Sequence, residues 1–263
     1  MPCIKPLAIP ADVIYIYDGS FDGFLCCVFE SIYSGELPVD IIFEEDASPT
    51  LYDVRAVVTD PVKAERVRAS IPLKISDRAL ELVTTAFCSC LEKKELRILE
   101  FLLRGYREGR KLCYSLGDSV MVPLLDAETH LLHEAHLLKG FVRFADVGGA
   151  LVSAITPKNY ILPFIAQHFV QRYDNEQFMI FDKTNKAALV YQHGKAEILR
   201  IDNVTFPEIS DSEARYQALW KEFYNTIAIK GRENPRCRMT HMPKRYWENM
   251  LEVKDLLHPA IGR

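Results

Sequence analysis

The feature that most constrains this chain is a change of hydrophobic period near Phe141. Up to that point the apolar residues recur every three or four positions. Examples are Leu80, Val83 and Phe87, then Leu96, Leu99, Leu103 and Tyr106, then Leu124, Ala127, Leu131, Ala135 and Leu138. That spacing puts them on one face of a helix. Beyond Phe141 the pattern alternates, with turn residues at Asp146-Val147-Gly148-Gly149 and His193-Gly194, as in half-buried strands. The pattern predicts an α+β protein. Residues 1–140 form a mostly helical part with an N-terminal strand-turn-helix and a small sheet. Residues 141–263 form an antiparallel sheet with packed helices and a basic C-terminal segment; the two parts can also form one compact domain.

Local signals place the elements. A strand is expected over 13–17, a turn at Asp18-Gly19-Ser20, and a helix ended by Gly35. A second strand is expected over 51–58. Thr59-Asp60-Pro61 reads as a helix start, and Ser76 caps the next helix. A hairpin is expected over 141–145 and 150–155, and a helix from Tyr160 with Pro163 in its first turn. A meander over 177–181, 187–191 and 195–201 follows, then helices over 211–229 and 243–253.

The chain has 263 residues, 49% of them hydrophobic and 26% charged, the balance of a globular protein rather than a disordered one. The formal net charge is -4, so any contact with nucleic acid must come from a local basic patch. No signal peptide and no run long enough for a membrane helix is read, so a cytoplasmic location without membrane is expected. The seven cysteines are an odd number with no C-x-x-C pair. Reduced thiols are expected, with no disulfide framework, metal or cofactor.

Four groups of residues invite a functional reading. Asp18 lies in a strand-to-helix turn whose glycines fit neither the phosphate-loop nor the dinucleotide spacing, so a turn and cap competes with a ligand contact. His130, His133 and His136 recur every three residues, but the outer two diverge by about 120° around a helix. Surface or boundary histidines are the plain reading there; a metal site, or His136 acting near DNA or a partner, are the alternatives. Lys139, Arg143, His168 and Arg172 converge if the hairpin packs on the following helix, and are otherwise solvated rims of an apolar core. The strongest signal is residues 230–247. Lys230, Arg232, Arg236, Arg238, Lys244 and Arg245 stand against Glu233 alone, six minus one or plus five, with His241, Tyr246 and Trp247 interleaved. Guanidinium forks match phosphate, and aromatic faces can stack a base. A basic loop pairing with acidic surface, or contacting a protein partner, is the alternative.

Five segments carry a resemblance. They are YDGSFDGFLCCVFESI from Tyr17, TDPVKAERV from Thr59, HEAHLLKGFVRF from His133, ILPFIAQHFVQRYDNEQFMIFD from Ile161 and KGRENPRCRMTHMPKRYW from Lys230. Together they resemble a little-characterised bacterial family of probable DNA-metabolism proteins. That resemblance implies a neighbour, a DNA modification or repair radical-SAM protein, and a domain also found fused to uracil-DNA-glycosylase-like domains. One departure stands out: the family favours a basic residue after the His of its E-x-H segment, and here Leu137 follows His136. The expectation is a DNA-binding or scaffolding accessory of DNA repair, with DNA and the radical-SAM protein as partners. The alternatives are an enzyme acting on DNA or a nucleotide, such as one processing a damaged base, and a pure protein-interaction subunit. No nucleophile–base pair stands out by spacing.

Overall fold

The computed structural model describes residues 8–205, 209–227 and 234–257. The chain divides into two units, Met1–Leu131 and Leu132–Arg263.

In the first unit, β1 (Ile9–Tyr17) leads through a turn into α1 (Phe21–Ser34) and on to β2 (Glu36–Phe43). β3 (Asp53–Ala56) completes a parallel three-stranded sheet of order β2-β1-β3. The expected 13–17 strand is therefore the buried half of a longer one. β2 was not legible: Pro38 and its mixed burial break the alternating pattern. Ser20 caps α1, its Oγ accepting from the Gly23 N–H at 2.9 Å. Gly35 ends the helix at φ 72°, a left-handed conformation that costs glycine little.

Helices α2 (Pro61–Lys74), α3 (Asp77–Phe87) and α4 (Lys94–Glu108) follow. Asp60 caps α2, accepting from the Val62 N–H at 2.9 Å, with Pro61 in the first turn. Ser76 caps α3 as expected, accepting from the Ala79 N–H at 3.1 Å. Their apolar faces (Val67 and Ile71, Leu82 and Val83, Leu99 and Leu102) join Phe24, Leu25 and Tyr15 in one core. α5 (Met121–Phe141) carries the chain across the division.

In the second unit, β4 (Ala145–Val147), β5 (Ala150–Ile155), β6 (Phe178–Asp182), β7 (Ala187–Gln192) and β8 (Lys195–Arg200) form a sheet in that order. The class is α+β, as the spacing predicts. One register differs from a wholly antiparallel sheet: β5 and β6 run parallel. The reason is α6 (Leu162–Arg172), which sits between them as a crossover and brings the chain back to the same end. Pro163 lies in its first turn. Phe169 is buried and meets Phe144 at 5.7 Å and Phe178 at 6.5 Å between ring centroids. The turn at His193 and Gly194 has φ of 51° and 76°, which joins β7 to β8 as a tight hairpin.

α7 (Asp211–Ile227) and α8 (Pro235–His241) complete the helices. The last helix expected over 243–253 is instead a pair of 3₁₀ segments, Lys244–Asn249 and Lys254–Leu256. α8 falls inside the basic stretch, where no element was expected. Lys230, Arg232 and Glu233 lie outside the described residues. None of the helices among the described residues is long and apolar enough to cross a membrane.

Candidate functional site

The basic stretch divides into an exposed half and a half turned inward. α8 starts at Asn234, whose Oδ1 accepts from the Cys237 N–H at 2.9 Å. Arg236, Cys237 and His241 are exposed and Arg238 half-buried. Lys244 follows on the 3₁₀ segment, its ammonium 5.9 Å from the Trp247 ring centroid. Among the described residues, Arg236, Arg238 and Lys244 have no carboxylate partner. Arg236 and Lys244 are charges presented to solvent, and Arg238 is partly so.

Arg245, Tyr246 and Trp247 do something else. Trp247, expected beside a base, is 5% exposed, and its indole N–H donates to the Met242 carbonyl at 2.8 Å. Tyr246 is 2% exposed, and its hydroxyl donates to Glu134 Oε1 at 2.8 Å. Neither ring is an open stacking platform. Their alternation with charged residues reads as an aromatic surface in sequence, but it is the inward face of a 3₁₀ turn. Arg245 pairs with Glu134 Oε1 at 3.0 Å and lies over the Tyr246 ring at 4.6 Å.

Glu134 is the residue that spacing did not reveal. It sits on α5 between two exposed histidines, His133 and His136, and is itself 1% exposed. Its carboxylate accepts from the Lys158 N–H at 3.1 Å, the Asn159 N–H at 2.9 Å and Asn159 Nδ2 at 2.7 Å. Tyr246 and Arg245 complete its shell. A buried carboxylate needs such donors, because losing hydration without them is costly. The signal was a lone acid on the inward, Ala135-bearing side of an otherwise apolar helix stripe.

The network continues to Asp182 at the end of β6. Asn185 Nδ2 donates to Asp182 Oδ2 at 2.7 Å and reaches the Asn159 carbonyl at 3.4 Å. The Thr184 and Asn185 N–H groups each donate to Asp182 Oδ1 at 3.0 Å. Burial pushes the Asp182 carboxyl up to about 6 despite these donors, with the nearby Glu134 charge adding to the rise.

The second expected cluster is partly assembled. Burial, then the charges of Lys139 and Arg172, hold the His168 imidazole below its usual range. The charges of Lys139 and Arg172 therefore both reach His168, and among the described residues none of the three has an acidic partner. Arg143 is occupied elsewhere: it pairs at 2.6 Å with Glu252, whose side chain is 4% exposed, and donates to the Gly140 carbonyl at 2.8 Å. His136 is exposed. Asp18 belongs to the first unit and serves its turn. It accepts from the Ser20 N–H at 2.9 Å, the Ser20 hydroxyl at 2.6 Å and the Thr59 hydroxyl at 2.7 Å. Burial works to raise its carboxyl, but these hydrogen bonds win and hold it below the usual range. A side chain on Gly23 would collide with that carboxylate, so the second glycine makes room for the turn.

Cys26, Cys27, Cys88, Cys113 and Cys237 are free thiols, with Cys26 and Cys27 buried. Among the described residues no three His, Cys, Asp or Glu side chains are grouped to hold a metal ion.

A family model described as a domain of unknown function, DUF4130, matches residues 92–252. The chain belongs to the DUF4130 family. The matched region holds α8, the Glu134 and Asp182 network, and the His168 cluster, while Asp18 falls outside it. No curated protein and no solved structure matches the chain.

Proposed function

We propose that this DUF4130 protein is a DNA-binding accessory of DNA repair or modification, with the α8 surface as its contact to the phosphate backbone. One observation carries the reading. Arg236, Arg238 and Lys244 are displayed without a carboxylate partner among the described residues, in a chain whose net charge is -4. Unpaired arginine forks beside a compact ammonium suit phosphate oxygens, and such contacts position a duplex without reading its sequence. His241, exposed on the same short helix, adds an imidazole. Arg232 precedes them in sequence. Lys139 and Arg172 supply a second positive patch in the same unit, with the His168 imidazole beside them. Resemblance to the probable DNA-metabolism proteins supports the setting and implies a radical-SAM protein as the partner that performs the chemistry.

Fluorescence anisotropy with labelled oligonucleotides across a salt series tests this. Three phosphate contacts give a slope of log K against log salt of roughly -2.7 on duplex and -2.1 on single strands. Arg236→Ala or Lys244→Ala should lower the slope by nearly one unit and weaken all sequences alike. If folded wild-type protein binds neither form at about 50 mM salt, where such contacts are strong, the DNA reading is wrong. Co-purification with the radical-SAM protein, with and without Arg236→Ala, then tests α8 as a protein-docking surface.

A further inference from the structure

α7 presents its apolar side outward. No residue of this 17-residue helix is buried. Tyr216, Leu219, Phe223 and Ile227 are 70%, 58%, 53% and 57% exposed. The tethers to the rest of its unit are polar. The Trp220 indole N–H donates to Glu252 Oε2 at 3.3 Å, and Lys221 pairs with Asp255 at 2.9 Å. A surface helix normally turns its apolar stripe to the core. Here the stripe is open.

We propose that this face pairs antiparallel with the same face of a second copy of the chain, forming the seam of a two-fold dimer. The part of the stripe from Tyr216 through Leu219 to Phe223 reads alike from both ends, as an isologous contact requires. Tyr216 and Phe223 flank Leu219, so an antiparallel pair sets each Tyr216 against Phe223 of the second copy, with the leucines at the axis. The charges choose the partner and the direction. Arg215 and Glu222 are seven residues apart, two turns, and so lie along the same flank of the stripe. Neither has an ion partner among the described residues. In an antiparallel pair each flank faces its own counterpart, so Arg215 meets Glu222 of the second copy twice. The two lie within about 3 Å of register along the axis. A parallel pair would set that flank against the opposite one and lose both ion pairs, which is how flanking charges select orientation.

The helix is only about 25 Å long, so the seam is smaller than a standard interface and the dimer is weak, in the micromolar range. Sedimentation velocity of the full chain over about 1–200 µM tests the proposal. A reversible monomer–dimer equilibrium is expected. Phe223→Glu should abolish it while leaving the helical circular dichroism unchanged, because the residue is already half exposed. Arg215→Glu and Glu222→Arg should each weaken the dimer roughly tenfold, since each variant turns two attractive pairs into repulsive ones. The double variant should restore it to near the original affinity. A monomer throughout the range overturns the proposal and leaves the face to a different partner. A dimer indifferent to Phe223→Glu, or a double variant as weak as the single ones, overturns it as well.

Discussion

Replacing Glu134 by alanine is the sharpest perturbation of the buried network. The side chain is 2% exposed and accepts from two backbone N–H groups, one amide and one phenol, with Arg245 as counter-ion. Truncation leaves the Asn159 and Tyr246 donors buried, at 4% and 2% exposure, without their acceptor. Each such donor costs about 1–3 kcal/mol. The Arg245 side chain is 40% exposed and regains water, so the ionic part adds little. The expected loss is about 3–5 kcal/mol, the range for breaking a buried pair by removing one partner. Glu134→Gln keeps one acceptor oxygen and should lose less. Urea unfolding followed by tryptophan fluorescence reads this cleanly, because both tryptophans, Trp220 and Trp247, lie in the second unit. That matters for a chain of two units, where a single transition cannot be assumed. A loss below about 1 kcal/mol, typical of a surface substitution, would refute the idea that Glu134 ties α5 to the β5–α6 loop and to Tyr246.

Asp182 gives a pH signature. Its folded value near 6 lies above the ordinary 3.8, so the folded state holds the proton more tightly and this group's contribution to stability falls as pH rises from about 4 to 6. The full effect is about 3 kcal/mol; Asp182→Asn should flatten it, and equal pH slopes for variant and wild type in urea titrations would refute the assignment. Trp247→Ala should cost about 3–5 kcal/mol as a buried aromatic truncation. At temperatures where that variant stays folded, DNA anisotropy should be unchanged; a selective loss of binding would mean the ring reaches the ligand. Phe169→Ala should likewise cost about 3–5 kcal/mol, and a loss under about 1 kcal/mol would dismiss the packing of α6 on the sheet. Among the described residues, Ser153 Oγ is buried without a hydrogen-bond partner, so Ser153→Ala should be neutral or stabilising by about 1 kcal/mol; a clear loss in thermal melting would refute this.

Local chemistry determined much of this protein from the sequence alone. Asp60-Pro61, Ser76, Gly35 and His193-Gly194 mark their boundaries because capping and left-handed turns depend on a few adjacent atoms. The helical stripes before Phe141 and the alternation after it set the α+β class, because burial on one face imposes its own period. Tertiary structure alone decided the rest. Whether β5 and β6 run parallel depends on the path taken through α6. Whether Arg236 is displayed while Arg143 and Arg245 are tied down depends on carboxylates far off in sequence. Glu252 and Glu134 lie 109 and 111 positions from the arginines they hold. The same distance hid Glu134 as a hub: its donors come from residues 158–159 and 245–246, which no periodicity links to α5. An arginine's charge is written in the chain, but its freedom to meet an anion is set by which carboxylates the fold brings within hydrogen-bonding distance.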